Sequence, residues 1–146
     1  MKTRPKHEDL VLAAVTAKTR AYAPYSDFHV GAALQTKSGK VFVGCNVENR
    51  SYGMTICAER NAVAAAVAAG EREFTAIAIA SDASPPAPPC GACREVLAEF
   101  ARDLPILLVG GGPLIVEHDL ETLLHERFVF KPKKSRSPAK GVRQPR

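Results

Sequence analysis

Two short stretches hold the residues whose types and spacing could do chemistry together. Thr55-Ile56-Cys57-Ala58-Glu59-Arg60 carries a thiol with a carboxylate two residues on, and Pro88-Pro89-Cys90-Gly91-Ala92-Cys93-Arg94 adds a Pro-Cys-x-x-Cys pair. Three sulfurs and one acid suit a zinc ion that keeps a fourth position open for water. Cys90 and Cys93 share one face of a helix if Cys90 begins it, and the two prolines favour such a start. Cys57 likewise reads as the opening of a helix, so two helix N-termini would direct partial positive charge at the metal. Three thiolates nevertheless leave the site net negative, which weakens the metal's power to acidify water. A nearby cation must therefore draw density from the sulfurs. Arg60 is the nearest candidate and Arg94 the second. Glu59 can lean over the open position without ligating, taking a proton from water as a base and returning it as an acid.

Zinc deaminases carry such an acid next to their first ligand and a Pro-Cys-x-x-Cys pair further on, with three cysteines allowed as ligands. The chain resembles the cytidine deaminases, specifically the small three-cysteine class that acts on free nucleosides. The likeness extends to Ala23-Pro24-Tyr25-Ser26-Asp27-Phe28-His29-Val30-Gly31-Ala32-Ala33, to Gly44-Cys45-Asn46-Val47-Glu48-Asn49 and to Ser51-Tyr52-Gly53. It runs from about Leu10 to Leu124. The resemblance implies one Zn²⁺ per subunit on Cys57, Cys90 and Cys93, with Glu59 as the catalytic acid and base and Arg60 bonded to a ligand sulfur. It also implies attack of water at C4 of cytosine, converting cytidine and deoxycytidine to the uridines with loss of ammonia. Asn46 and Glu48 match the pair that binds the ribose 3′-hydroxyl, and Phe28 an aromatic lining the base pocket. By the same resemblance, backbone donors around Ala58 and Cys90 would suit the new carbonyl oxygen, and Tyr52 would lie near a neighbouring subunit's ribose. The family assembles as a homotetramer with shared active sites, in which a C-terminal phenylalanine stacks on the base; Phe128 takes that place, with Phe130 as its understudy. His125, Arg127 and Arg50 depart from the family pattern, and the departures leave open a related aminated nucleoside or nucleoside antibiotic as substrate.

The competing readings rest on single features. Cys45 could complete a four-sulfur structural site, but it falls in an expected strand. His7, His29, His118 and His125 read as surface or core residues rather than ligands. A nucleic-acid-binding protein is the alternative from another class, and it depends on charge. The chain has 20 Lys and Arg against 15 Asp and Glu, but seven of the 20 lie in residues 131–146, where there is no acid. Residues 1–130 thus hold 13 basic against 15 acidic residues, which gives no electrostatic case for gripping a phosphate backbone. The four cysteines then read as ligands plus a spare in a reducing compartment. The polar N-terminus lacks the apolar stretch of a signal peptide, and no run approaches a membrane span, so the expected location is cytoplasmic.

The elements that must position these residues follow from periodicity. At 146 residues the chain fits one core. The expected division is a catalytic domain over residues 1–130 and a disordered basic tail over 131–146. Apolar spacings of three and four predict a helix from Glu8 to about Ala21. Strands are expected at Phe28–Thr36 and Val41–Glu48, joined through Lys37-Ser38-Gly39-Lys40. Cys57–Ala69 reads as a helix apolar on every side, hence buried, and Phe74–Ala80 as a strand covered on both faces. Prolines between Ser84 and Pro89 force a stiff loop. A helix at Gly91–Ala101, strands at Ile106–Val109 and Leu114–Val116, and a final helix over Asp119–Glu126 complete the order. That order indicates an α/β fold with helices on the faces of a sheet; the resemblance implies three layers with a mixed five-stranded sheet.

Overall fold

The computed structural model describes residues 7–130; the expected tail over 131–146 lies outside them. Five strands form one sheet in the order β2-β1-β3-β4-β5: β1 (Val30–Thr36), β2 (Val41–Cys45), β3 (Phe74–Ser81), β4 (Pro105–Val109) and β5 (Ile115–Asp119). The pairing of β3 with β4 is parallel and the other three are antiparallel, so the sheet is mixed, as expected.

Alternation along the strands sorts side chains by size. Ala32, Leu34, Ile77, Ile79, Ile106 and Leu108 point to one face, and Ala33, Ala76, Ala78, Ala80 and Leu107 to the other. The larger set packs against α2 (Ala58–Ala68), α3 (Gly91–Phe100) and the single turn α4 (Leu120–Leu123). The alanine face receives α1 (Glu8–Lys18) through Leu10 and Ala14. Small side chains let α1 approach closely: a Cβ at Gly31 would collide with the backbone of Ala14 and Lys18. Gly44 plays the same part under α2, where a Cβ would strike the backbone of Ala58 and Ala62. β3 is covered on both faces, as its composition predicts. Among the described residues no helix is long and apolar enough to cross a membrane.

Several boundaries differ from expectation for identifiable reasons. α1 stops at Lys18 because the amides of Thr19, Arg20 and Ala21 turn to carbonyls three residues back. Tyr22 is then drawn into backbone bonds with Asn46 and Glu48. β2 ends at Cys45 because Asn46 bonds across to β1 with its side chain, and Val47 bridges to Tyr22 and Ile56 instead. β5 runs to Asp119, pairing His118 and Glu117 with β4. α4 is far shorter than Asp119–Glu126: Asp119 caps it through the Thr122 amide (2.8 Å) as expected, but arginine side chains take the carbonyls of Leu123 and Leu124. α2 is not buried all round. Ala62, Val63 and Ala66 face the core while Ala64, Ala65 and Ala68 are exposed, because the sheet covers a single side.

Candidate active site

Both ligand helices start where the sequence places them. Cys57 is the N-cap of α2 and Cys90 the N-cap of α3, each with extended backbone, and Cys93 lies in the first turn of α3. The sulfurs of Cys57, Cys90 and Cys93 lie within 4.8 Å of one another. The Cys57 and Cys90 sulfurs are 3.9 Å apart, against about 3.8 Å for two ligands of a tetrahedral zinc at the usual Zn–S distance of about 2.3 Å. The donor set fits zinc. Cys45 stands outside the group, its thiol donating to the Arg20 carbonyl at 3.4 Å. A fourth sulfur ligand is thereby excluded.

Charge around the sulfurs is arranged for an anion. The neighbouring Cys93 thiol and the Arg60 guanidinium hold Cys57 well below the usual thiol range. Cys93 is pushed up by the neighbouring Cys57 sulfur and by burial. Arg60 Nη2 reaches Cys57 Sγ at 3.3 Å, and the thiolate raises the guanidinium above its ordinary range. Arg94, the second candidate for this part, is turned elsewhere. Its Nε donates to the Pro89 carbonyl (2.8 Å) and its Nη1 to the Leu123 carbonyl (3.0 Å).

Glu59 sits on the first turn of α2 and is 5% exposed. Burial is the main force lifting its carboxyl above the ordinary range, and the neighbouring Cys57 charge adds to it. It lines a cavity of about 340 Å³ with Cys57, Cys90, Ala58, Phe28 and Glu48 among the walls. The cavity opens beside the C-terminal end of β3, at Ile79 and Ser81, where ligands of open α/β sheets commonly bind. Its size suits one small molecule.

The opposite wall is braced before any ligand arrives. Glu48 accepts from the amides of Tyr25 (3.0 Å) and Ser26 (3.1 Å), from Ser26 Oγ (2.5 Å) and from Tyr52 Oη (3.3 Å). The Ser26 hydroxyl is the largest influence holding Glu48 below the usual carboxylate range. Asn46 Oδ1 accepts from the Val30 amide (2.9 Å) and its Nδ2 donates to the Phe28 carbonyl (2.7 Å). Asn46 thus fixes the backbone that carries Phe28 and also lines the cavity.

Tyr52, expected beside a neighbour's site, lines the cavity of its own chain. Phe128 is 81% exposed and outside that cavity, and Arg50 is exposed. The sequence reading missed two groups. Ser26 lies in a turn whose small polar residues could have suggested a donor. Asp82 accepts from Lys18 Nζ (2.9 Å), the His29 amide (2.8 Å) and His29 Nδ1 (2.8 Å), tying the end of β3 to α1 and to the entry of β1; no local signal announces that partnership across 64 residues.

Comparison with known proteins agrees with this geometry. Residues 4–107 match the model of the cytidine and deoxycytidylate deaminase zinc-binding region. The chain is 48% identical over 122 residues to a cytidine deaminase of Sporosarcina psychrophila, a match covering 83% of this chain and 90% of that protein. It is similar to the crystal structure of cytidine deaminase from Burkholderia pseudomallei, with a TM-score of 0.81 and 48% identity over 84% of this chain and 99% of that one. The cytidine deaminase structure from Mycobacterium tuberculosis superposes with a TM-score of 0.73 and 39% identity, covering 84% and 96% of the two chains.

Proposed function

The chain belongs to the cytidine and deoxycytidylate deaminase family, and from that premise we propose that it hydrolyses cytidine and deoxycytidine to uridine and deoxyuridine, releasing ammonia. The observation that carries this reading is the Glu59 carboxyl, buried in a nucleoside-sized cavity beside three clustered thiols at two helix N-termini.

Cys57, Cys90 and Cys93 hold the zinc, which when bound supplies a Lewis acid that makes water acidic near neutral pH. Glu59 accepts a proton from the water that attacks C4 and delivers it to ring N3. It then takes the remaining proton of the added hydroxyl to the amino group, so that the C4–N bond breaks, ammonia leaves and the C4 carbonyl forms. A carboxyl lifted by burial is suited to alternate between base and acid at working pH. Arg60 keeps its guanidinium on the Cys57 sulfur, drawing off charge that would oppose the acidification. The Ala58 amide, at the first position of α2, has no partner within the helix, and Ala58 and Cys90 both line the cavity; their amides donate to the developing carbonyl oxygen. Phe28 packs on the base, Asn46 uses its remaining hydrogen-bonding capacity on the ribose, and Glu48 accepts from the ribose hydroxyl in place of its long bond from Tyr52 (3.3 Å).

Assembly as a homotetramer with shared sites belongs to the same reading. Support comes from apolar residues left open on one chain, including Val41 and Val43 on the edge strand β2, Leu12 on α1 and Met54 beside the cavity. The enzyme then acts in the cytoplasm on free nucleosides in pyrimidine salvage. A nucleoside panel assayed for ammonia release tests the reading, with cytidine, deoxycytidine and an aminated nucleoside antibiotic as arms. Glu59→Gln is expected to retain zinc while turnover falls by about 10²–10⁴-fold. Full activity in that variant, or release from the antibiotic alone, overturns the assignment.

A further inference from the structure

Arg127 spends its whole guanidinium on main-chain carbonyls. Nε donates to Leu124 (3.2 Å), Nη1 to Ala101 (3.1 Å) and Nη2 to Arg102. Ala101 is the C-cap of α3, so the cation stands where the helix macrodipole is negative and where terminal carbonyls lack partners. A guanidinium fork is preorganised for such multiple donation, and bonds from a charged donor are the stronger kind. One turn earlier, Arg94 joins the Leu123 carbonyl to the Pro89 carbonyl, one residue before Cys90. Two arginines therefore stitch residues 120–127 along the length of α3, from the turn that carries a ligand cysteine to the far end of the helix. Beyond the last stitch Phe128, Val129 and Phe130 are all strongly exposed. A segment this well anchored that ends on exposed aromatic surface is a mounted stem whose tip has no partner among the described residues.

We propose that Arg127 is a positioning residue: it locks residues 120–127 against α3 so that Phe128 is presented, already ordered, to the nucleoside cavity of a second copy of this chain. The proposal rests on the nucleoside reading above and adds to it the device that orders the shared aromatic. Ordering Phe128 in advance removes an entropy cost that substrate binding would otherwise bear. The effect therefore falls on KM, while the Glu59 chemistry and the three sulfurs are untouched.

The test combines Arg127→Ala and Arg127→Lys with subunit mixing. In the pure Arg127→Ala protein, KM for cytidine should rise about tenfold, of the order of one charge-assisted hydrogen bond. Its kcat and zinc content should hold, and amide protection over residues 120–124 should fall. Arg127→Lys should recover part of the KM. Arg127→Ala is then reassembled with a large excess of Glu59→Gln, whose cavity is inactive but whose stem is intact. If the stem serves a neighbour, KM of the surviving sites returns to the wild-type value. A KM that stays raised in the mixture, or a monomeric wild-type protein by sedimentation, overturns the inference and leaves the nucleoside reading standing. An active pure Glu59→Gln protein instead overturns that reading itself.

Discussion

A thiolate is a strong ligand but a poor partner for a metal that must acidify water, and at the residue scale Arg60 is the group we propose to offset that charge. Its Nη2 lies 3.3 Å from Cys57 Sγ, while its Nε is buried with no hydrogen-bond partner among the described residues. The guanidinium is thus held chiefly by the sulfur, and its reach is spent there. Groups that hydrogen-bond a metal ligand alter affinity or activity by about 10–100-fold when removed. Arg60→Ala is expected to keep its zinc, because three sulfurs within 4.8 Å of one another remain, and to lose about 10–100-fold in kcat. Metal analysis alongside steady-state kinetics checks this. Unchanged kcat with zinc in place would show that the charge on the sulfurs does not limit the reaction.

At the scale of elements, the helices deliver the chemistry and the glycines decide where the helices lie. Gly44 lets α2 settle so closely on β2 that a Cβ there would meet the backbone of Ala58 and Ala62, in the turns that carry Cys57 and Glu59. Gly44→Ala must push α2 outward, an overpacking expected to cost about 1–3 kcal/mol in urea unfolding. It should also cost activity, because the displaced turn carries the acid and the first ligand. Gly112→Ala meets nothing within 4 Å and should stay within about 0.5 kcal/mol; equal effects of the two changes would count against the packing argument. The metal helices were legible in the sequence because capping, proline placement and i, i+3 spacing are local, and Cys57, Cys90 and Cys93 fall where those signals put them. The braces were not legible. Asp82 finds Lys18 and His29, and Arg127 finds Ala101, through pairings that depend on how layers stack rather than on any neighbour in the chain. The expected length of α4 exceeds the observed one for a related reason: the periodicity continues, but the distant Arg94 takes the Leu123 carbonyl and the nearby Arg127 that of Leu124.

On the scale of the whole molecule, charge and cavity are separated along the chain. The walls of the cavity come from residues between Ser26 and Cys90, whereas seven of the 20 basic residues stand in residues 131–146. Removing residues 131–146 turns a net +5 chain into one with 13 basic and 15 acidic groups, without taking a wall residue, Arg127 or Phe128. If a free nucleoside is the substrate, kcat/KM for cytidine should stay within about twofold, since a neutral ligand gains little from a remote field. Retention on a cation exchanger should vanish. If instead the protein works on a polyanion, the full chain should bind single-stranded nucleic acid with an affinity that falls steeply with salt, and the shortened chain should lose both that binding and its turnover. Kinetics of the two forms on cytidine and on a cytosine-containing oligonucleotide, each at two salt concentrations, separate the cases. Retained nucleoside turnover with no salt-dependent oligonucleotide activity would confine the basic residues to a role outside the reaction.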